Sequence, residues 1–186
     1  MRLVLFTLVG VFSNTCALRD SPITAGGPVQ YLDGPQWSVS NADTTVVVGG
    51  SVPGDLLTDL QNAGVIPDPL HEQNFLPPVG AIPGPGAPYG RPVWDNQTWT
   101  YSTTFDLNWV AKDYADISLV FDGVKMAAAV SLNGQALGTV ADMFYRYRYP
   151  VSSALFQVNN VLSLSFFLSN DTANNEGRWT SCSGGW

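Results

Sequence analysis

Charge is scarce in this chain: charged residues are 12% of its 186, and eight Lys or Arg stand against fifteen Asp or Glu, for a net of −7. Gripping a phosphate backbone takes clustered cations, so nucleic acid is excluded as a partner. Histidine is rarer still. His71 stands alone, in Pro69-Leu70-His71-Glu72 beside a loop, so a histidine-rich metal centre or a Ser-His-Asp triad would have to rest on it. It reads as a surface histidine, and neither a metal nor a cofactor is expected. The G-x-S-x-G elbow of serine hydrolases is missing too, since Ser181-Cys182-Ser183-Gly184-Gly185 holds the residue types in the wrong order. No apolar run reaches the ~20 residues of a membrane helix, which leaves a soluble, exported product as the expectation. The length suits one domain with its own core and is too short for a large catalytic barrel plus anything else.

Export is suggested by the first residues. Positions 1–17, MRLVLFTLVGVFSNTCA, open with Arg2, carry the apolar run Leu3 to Phe12 and close in the small residues Thr15-Cys16-Ala17, the layout of a secretory signal peptide. Cleavage after Ala17 would remove Cys16 and leave Cys182 single, with its partner outside this sequence or its thiol buried. Asn96-Gln97-Thr98 and Asn170-Asp171-Thr172 are N-glycosylation acceptors that agree with passage through the secretory pathway, to the exterior or to a lysosome or vacuole. No membrane contact is expected after cleavage.

Turn chemistry and aromatics are what the chain has in plenty. Eighteen glycines, thirteen prolines and 12% aromatic residues suit many short strands joined by tight turns. Ile117, Leu119 and Phe121 share one face of a strand, Asp122-Gly123 breaks it, and Met126, Ala128, Val130 and Leu132 share a face of the next. Asn133-Gly134 then predicts a hairpin into Gln135–Val140, because both residues accept positive φ. A buried helix over Lys125 to Leu132 is the competing reading, disfavoured by the flanking glycines. Trp37–Val39 and Thr45–Val48 read as short strands. Asp55 to Asn62 puts Leu56, Leu57 and Leu60 on one helical face, with Gly64 placed to stop a short capping helix. Trp99, Tyr101, Phe105 and Leu107 alternate inward against Thr100, Ser102, Thr104 and Asp106, and Leu162, Leu164, Phe166 and Leu168 give a last strand. Met143 to Tyr149 is read as a strand as well, with Tyr145, Tyr147 and Tyr149 on one face and Arg146 and Arg148 on the other. Seven to nine strands at this spacing predict an all-β, antiparallel jelly-roll sandwich. Its span is 37–186, preceded by a polar segment at 18–36 and interrupted by a Pro/Gly-rich surface loop at 75–92. Prolines 83, 85 and 88 in that loop remove the N–H donors a phosphate cradle needs.

No catalytic residue emerges. A glycosidase needs two carboxyl groups ~5–10 Å apart across a sugar, and spacing alone does not pair Asp55, Asp59, Asp68, Glu72 or Glu176, which read as solvated acids.

The ordered set of motifs carries more than any one of them. Ser51-Val52-Pro53-Gly54, the leucine helix, Gly64 to Pro69, Asn74, Trp94 through Trp99-x-Tyr101, Phe121-Asp122-Gly123-Val124, Leu132-Asn133-Gly134, Leu137-Gly138 and Met143-Phe144 follow one another from Trp37 to Trp186. This resembles the N-terminal sugar-binding domain of the β-mannosidases of glycoside hydrolase family 2. The resemblance implies a galactose-binding-like jelly roll and, in the full-length enzyme, a retaining exo-hydrolase of terminal β-linked mannose with a carbohydrate as its partner. Three departures stand out: Lys125 where the family has an acid, Asp142 where it has Asn before Met-Phe, and a longer 75–92 loop. The family also continues its Gly-Trp pair with Asp-Trp near the substrate, whereas this chain stops at Gly185-Trp186. The resemblance therefore implies a chain cut short before its C-terminal catalytic barrel and inactive alone, in which Arg178 and Trp186 lie near the sugar of the complete protein. A planar Arg fork binds hydroxyls and an indole stacks on a pyranose. Two other readings are a stand-alone carbohydrate-binding module, using exposed aromatics such as Tyr89, Trp94 and Trp109, and a structural or adhesion sandwich.

Overall fold

The computed structural model describes the backbone of residues 3–8 and residues 27–68, 70–71, 98–125 and 127–167. The Pro/Gly loop, both glycosylation acceptors and the C-terminal positions Arg178, Cys182 and Trp186 lie outside these residues, as do Tyr89, Trp94 and Met126.

Ten strands and one α-helix occur among the described residues. Strands β1 (Leu3–Leu8), β2 (Val29–Tyr31), β6 (Asp116–Phe121) and β9 (Tyr147–Pro150) form a four-stranded sheet in the order β2-β1-β6-β9. Strands β3 (Gly34–Asn41), β4 (Val47–Val52), β5 (Trp99–Phe105), β7 (Ala127–Leu132), β8 (Gln135–Val140) and β10 (Asn160–Phe167) form the second, ordered β4-β3-β5-β10-β7-β8. Every pairing is antiparallel. The all-β sandwich anticipated from the sequence is thus present, with strands ahead of Trp37 at Leu3–Leu8 and Val29–Tyr31, and β3 beginning at Gly34.

Alternation makes the core. Along β5, Trp99, Tyr101 and Phe105 are buried while Thr104 is exposed. Leu119 and Phe121 from β6, Val130 and Leu132 from β7, and Leu162 and Leu164 from β10 complete the buried layer with Val39. Burying side chains of this size contributes about 1.5–3 kcal/mol each. The competing helix over 125–132 is not formed: Ala127–Leu132 is a strand paired with both β8 and β10.

Three local readings have visible causes. Asn133 and Gly134 take φ of 52° and 79°, the two positive values that a tight hairpin requires. Asn133 also works as a clasp: its amide donates to Ala154 O and Asn160 Oδ1, and its Oδ1 accepts from the Val161 N–H. Helix α1 (Leu56–Asn62) is capped by Asp55, which accepts from the Thr58 N–H at 3.0 Å, and it ends with Val65 N–H on Leu60 O and Gly64 N–H on Gln61 O. Leu57 and Leu60 are buried beneath it.

Two expectations need amendment. Asp59, read as a solvated acid, is 5% exposed on the inner side of α1. The stretch read as one strand from Met143 is a turn through Tyr145, with strand pairing only from Tyr147. Alternation of tyrosine with arginine suggested period two throughout, but the crossing from the β8 edge to the β9 edge needs a turn there. In addition, the backbone of Leu3–Leu8, inside the run read as a leader, pairs with β6 from Leu3↔Phe121 to Leu8↔Asp116 and with β2 on its other side.

Candidate functional site

Most described carboxylates are engaged in structure. Asp55 caps α1, Asp43 accepts from Thr45, Asp68 from the Leu70 N–H, and Asp106 from the Asn159 N–H at 2.7 Å. The hydrogen bonds from Thr45 hold the Asp43 carboxyl below the usual carboxylate range. Asp59 is the exceptional one: Oδ2 accepts from the Tyr101 hydroxyl at 2.7 Å and Oδ1 from the Ser51 N–H at 3.3 Å. Burial raises its carboxyl above the ordinary value and the Tyr101 hydroxyl pulls it back. The pair pins helix α1 to the β5 strand of the sheet. Both glutamates of the chain lie outside the described residues. Among the described residues no three of His, Cys, Asp and Glu converge as metal ligands, and His71 is exposed.

The aromatics divide differently from the sequence expectation. Trp109, the one described member of the three sugar-stacking candidates, is half-buried and meets Tyr114 edge-on at 5.4 Å, with its indole N–H buried and without a partner. Two exposed aromatics are neighbours on the turn between β8 and β9, where Phe144 is 73% and Tyr145 55% exposed, beside Met143; Tyr31 and Phe156 are exposed elsewhere. This turn is held from below. The Tyr147 hydroxyl accepts the N–H groups of Ala141 and Asp142, and Asp142 Oδ1 accepts the Phe144 N–H at 2.8 Å. The Tyr149 hydroxyl donates to Thr139 O, tying the β9 edge to the β8 edge, and burial pushes that phenol above its usual range. Tyr145 and Tyr147 meet edge-on at 4.9 Å.

From the other side comes the link between β6 and β7. Arg146 Nε donates to Asp122 Oδ1, and Gly123 lies so close to the turn that a Cβ there would stand 2.3 Å from Met143 O. Its φ of 132° is closed to other residues as well. Asp122-Gly123 and Met143-Phe144 are far apart in sequence, and only the sheet crossing brings them together; the signal available beforehand was the run of large apolar residues directly after Asp142.

Comparison with known proteins follows the fold. The family model described as "Glycosyl hydrolase 2 galactose-binding domain-like" matches residues 86–181, more than half of the chain. A β-mannosidase of Rattus norvegicus is 32% identical over 145 residues, covering 78% of this chain and 15% of that protein. β-Mannosidase A of Aspergillus aculeatus is 29% identical over 150 residues, 80% of this chain and 14% of the relative. The crystal structure of a β-D-mannosidase from Dictyoglomus thermophilum superposes with a TM-score of 0.61 at 24% identity, over 78% of this chain and 16% of the other. The chain thus spans about 15% of the length of these curated relatives. With the antiparallel sandwich in place and the family model matched across β5 to β10, the chain belongs to the galactose-binding-like domain family of glycoside hydrolase family 2.

Proposed function

We infer that this chain is the N-terminal accessory sandwich of a β-mannosidase-type glycoside hydrolase that removes terminal β-linked mannose, its acid/base and nucleophile carried by a C-terminal domain beyond these residues. The observation that carries the reading is the aligned span: mammalian and fungal β-mannosidases match about four-fifths of this chain while the chain covers only about 15% of them. The local chemistry supports it. Retaining hydrolysis uses two carboxyl groups about 5–5.5 Å apart on either side of the scissile bond. Asp55, Asp59, Asp106 and Asp122 are instead occupied in capping, in the helix–sheet pin, in a loop tie and in an ion pair.

The carbohydrate partner, entry into the secretory pathway by way of residues 1–17, glycans at Asn96 and Asn170, and a place for Arg178 and Trp186 beside the sugar all belong to this proposal. Purified chain should leave a chromogenic β-mannoside intact, whereas the polypeptide that continues it into a catalytic domain should hydrolyse it. Turnover by residues 1–186 alone would overturn the assignment of catalysis to another domain.

A further inference from the structure

We propose that Asn133-Gly134 is a spontaneous modification site that the fold holds shut, so that deamidation there marks a chain that has opened. It is the single Asn-Gly pair in the 186 residues. In an open chain the Gly134 backbone nitrogen attacks Cγ of the Asn133 side chain. The new C–N bond closes a cyclic imide, and the Gly134 N–H proton leaves with the amide nitrogen as ammonia. Water then adds to one imide carbonyl and opens the ring to aspartate or isoaspartate. Glycine leaves the approach unhindered, since it has no Cβ.

Burial does not keep the site shut: Gly134 is exposed, and a Cβ there would meet nothing within 4 Å. The restraint lies in the carboxamide, which is held at both ends. Nδ2 donates to Ala154 O at 2.6 Å and to Asn160 Oδ1 at 2.9 Å, while Oδ1 accepts the Val161 N–H at 2.8 Å. The Asn133 N–H donates to Val161 O at 2.8 Å, so the side chain adds a rung to the β7–β10 ladder just beyond Leu132↔Leu162. Swinging Cγ onto the Gly134 nitrogen breaks these side-chain bonds together.

The product does not fit the same place. An oxygen replaces the Nδ2 donor and faces two acceptors, Ala154 O and Asn160 Oδ1, without a proton to share. Asn160 is fully buried and already committed: its Oδ1 accepts the Phe156 N–H and its Nδ2 donates to Phe156 O. Turning its amide to meet the new charge would forfeit both bonds. Isoaspartate also lengthens the backbone within a tight turn. Deamidation is therefore one-way, a record of opening that opposes return to the fold.

The test follows ammonia loss at Asn133 in the folded chain and in the same chain in urea, at one mildly alkaline pH, by mass mapping of the peptide that holds the pair. Conversion in urea is expected to be about a hundredfold faster, because the folded turn opens rarely. Asn133→Asp installs the product directly. Its urea midpoint should fall below that of Asn133→Gly, which lacks the carboxamide but sets no charge against Asn160. An Asn133→Asp chain that does not fold, beside an Asn133→Gly chain that does, supports the proposal equally. Equal conversion rates in the two states overturn it, as does an Asn133 that stays intact in urea. An Asn133→Asp midpoint at or above that of Asn133→Gly overturns the one-way consequence.

Discussion

Tyr101 and Asp59 carry the plainest residue-scale consequence. Removing the buried donor in Tyr101→Phe leaves Asp59 Oδ2 without its 2.7 Å partner, and should cost about 1.5–3 kcal/mol. Urea unfolding measures this, and an unchanged midpoint would contradict it. The pH dependence has a definite sign. Burial holds the folded-state Asp59 carboxyl above its ordinary 3.8. The unfolded chain therefore releases this proton first, and stability falls as pH climbs from near 3.8 through the raised folded value. Asp59→Asn has no proton to release there. Its stability relative to wild type should improve with pH across that window and stay level above it; a constant difference between about pH 4 and about pH 7 would contradict the linkage. Little of this was legible beforehand. An Asp in the first turn of a helix is ordinarily solvated and favoured by the dipole, and only the approach of β5 to α1 turns Asp59 inward.

Elements show how much was legible and where legibility stopped. Strands with one packed face announce themselves by period two: Trp99, Tyr101 and Phe105 of β5 and Leu162 and Leu164 of β10 are buried as the alternation implies, Phe166 is half-buried, and Leu168 lies outside the described residues. The segment at 143–149 alternates as well, yet its first half turns outward, because alternation reports neither sheet crossings nor edges. Asn133 separates two roles. Asn133→Gly keeps a residue that accepts positive φ but removes the side-chain bonds to Ala154, Asn160 and Val161. It should cost about 1–3 kcal/mol by urea unfolding; a loss of a few tenths would show that the turn alone matters.

Strand β1 gives the second element-scale prediction. It separates β2 from β6, whose Leu119, Val120 and Phe121 are fully buried. A chain beginning at Leu18 lacks β1 and leaves one β6 edge unpaired, and open edges invite other strands. Its unfolding midpoint should drop and its elution become concentration-dependent. An unchanged midpoint with monomeric elution would show that the sandwich closes without residues 3–8.

At the scale of the whole molecule, the candidate site was partly legible. The family was readable because its motifs follow one another in order, and the family model and the β-mannosidase relatives agree with that reading. The exposed turn was not readable, since it depends on Asp122 meeting Arg146 and Gly123 meeting Met143. The central claim is that the sandwich serves a larger glycosidase. Sequencing the coding region past the Trp186 codon tests this most directly. The account predicts a continuation of Asp-Trp and several hundred further residues, including two barrel glutamates placed as acid/base and nucleophile. A stop codon immediately after Trp186 would contradict it.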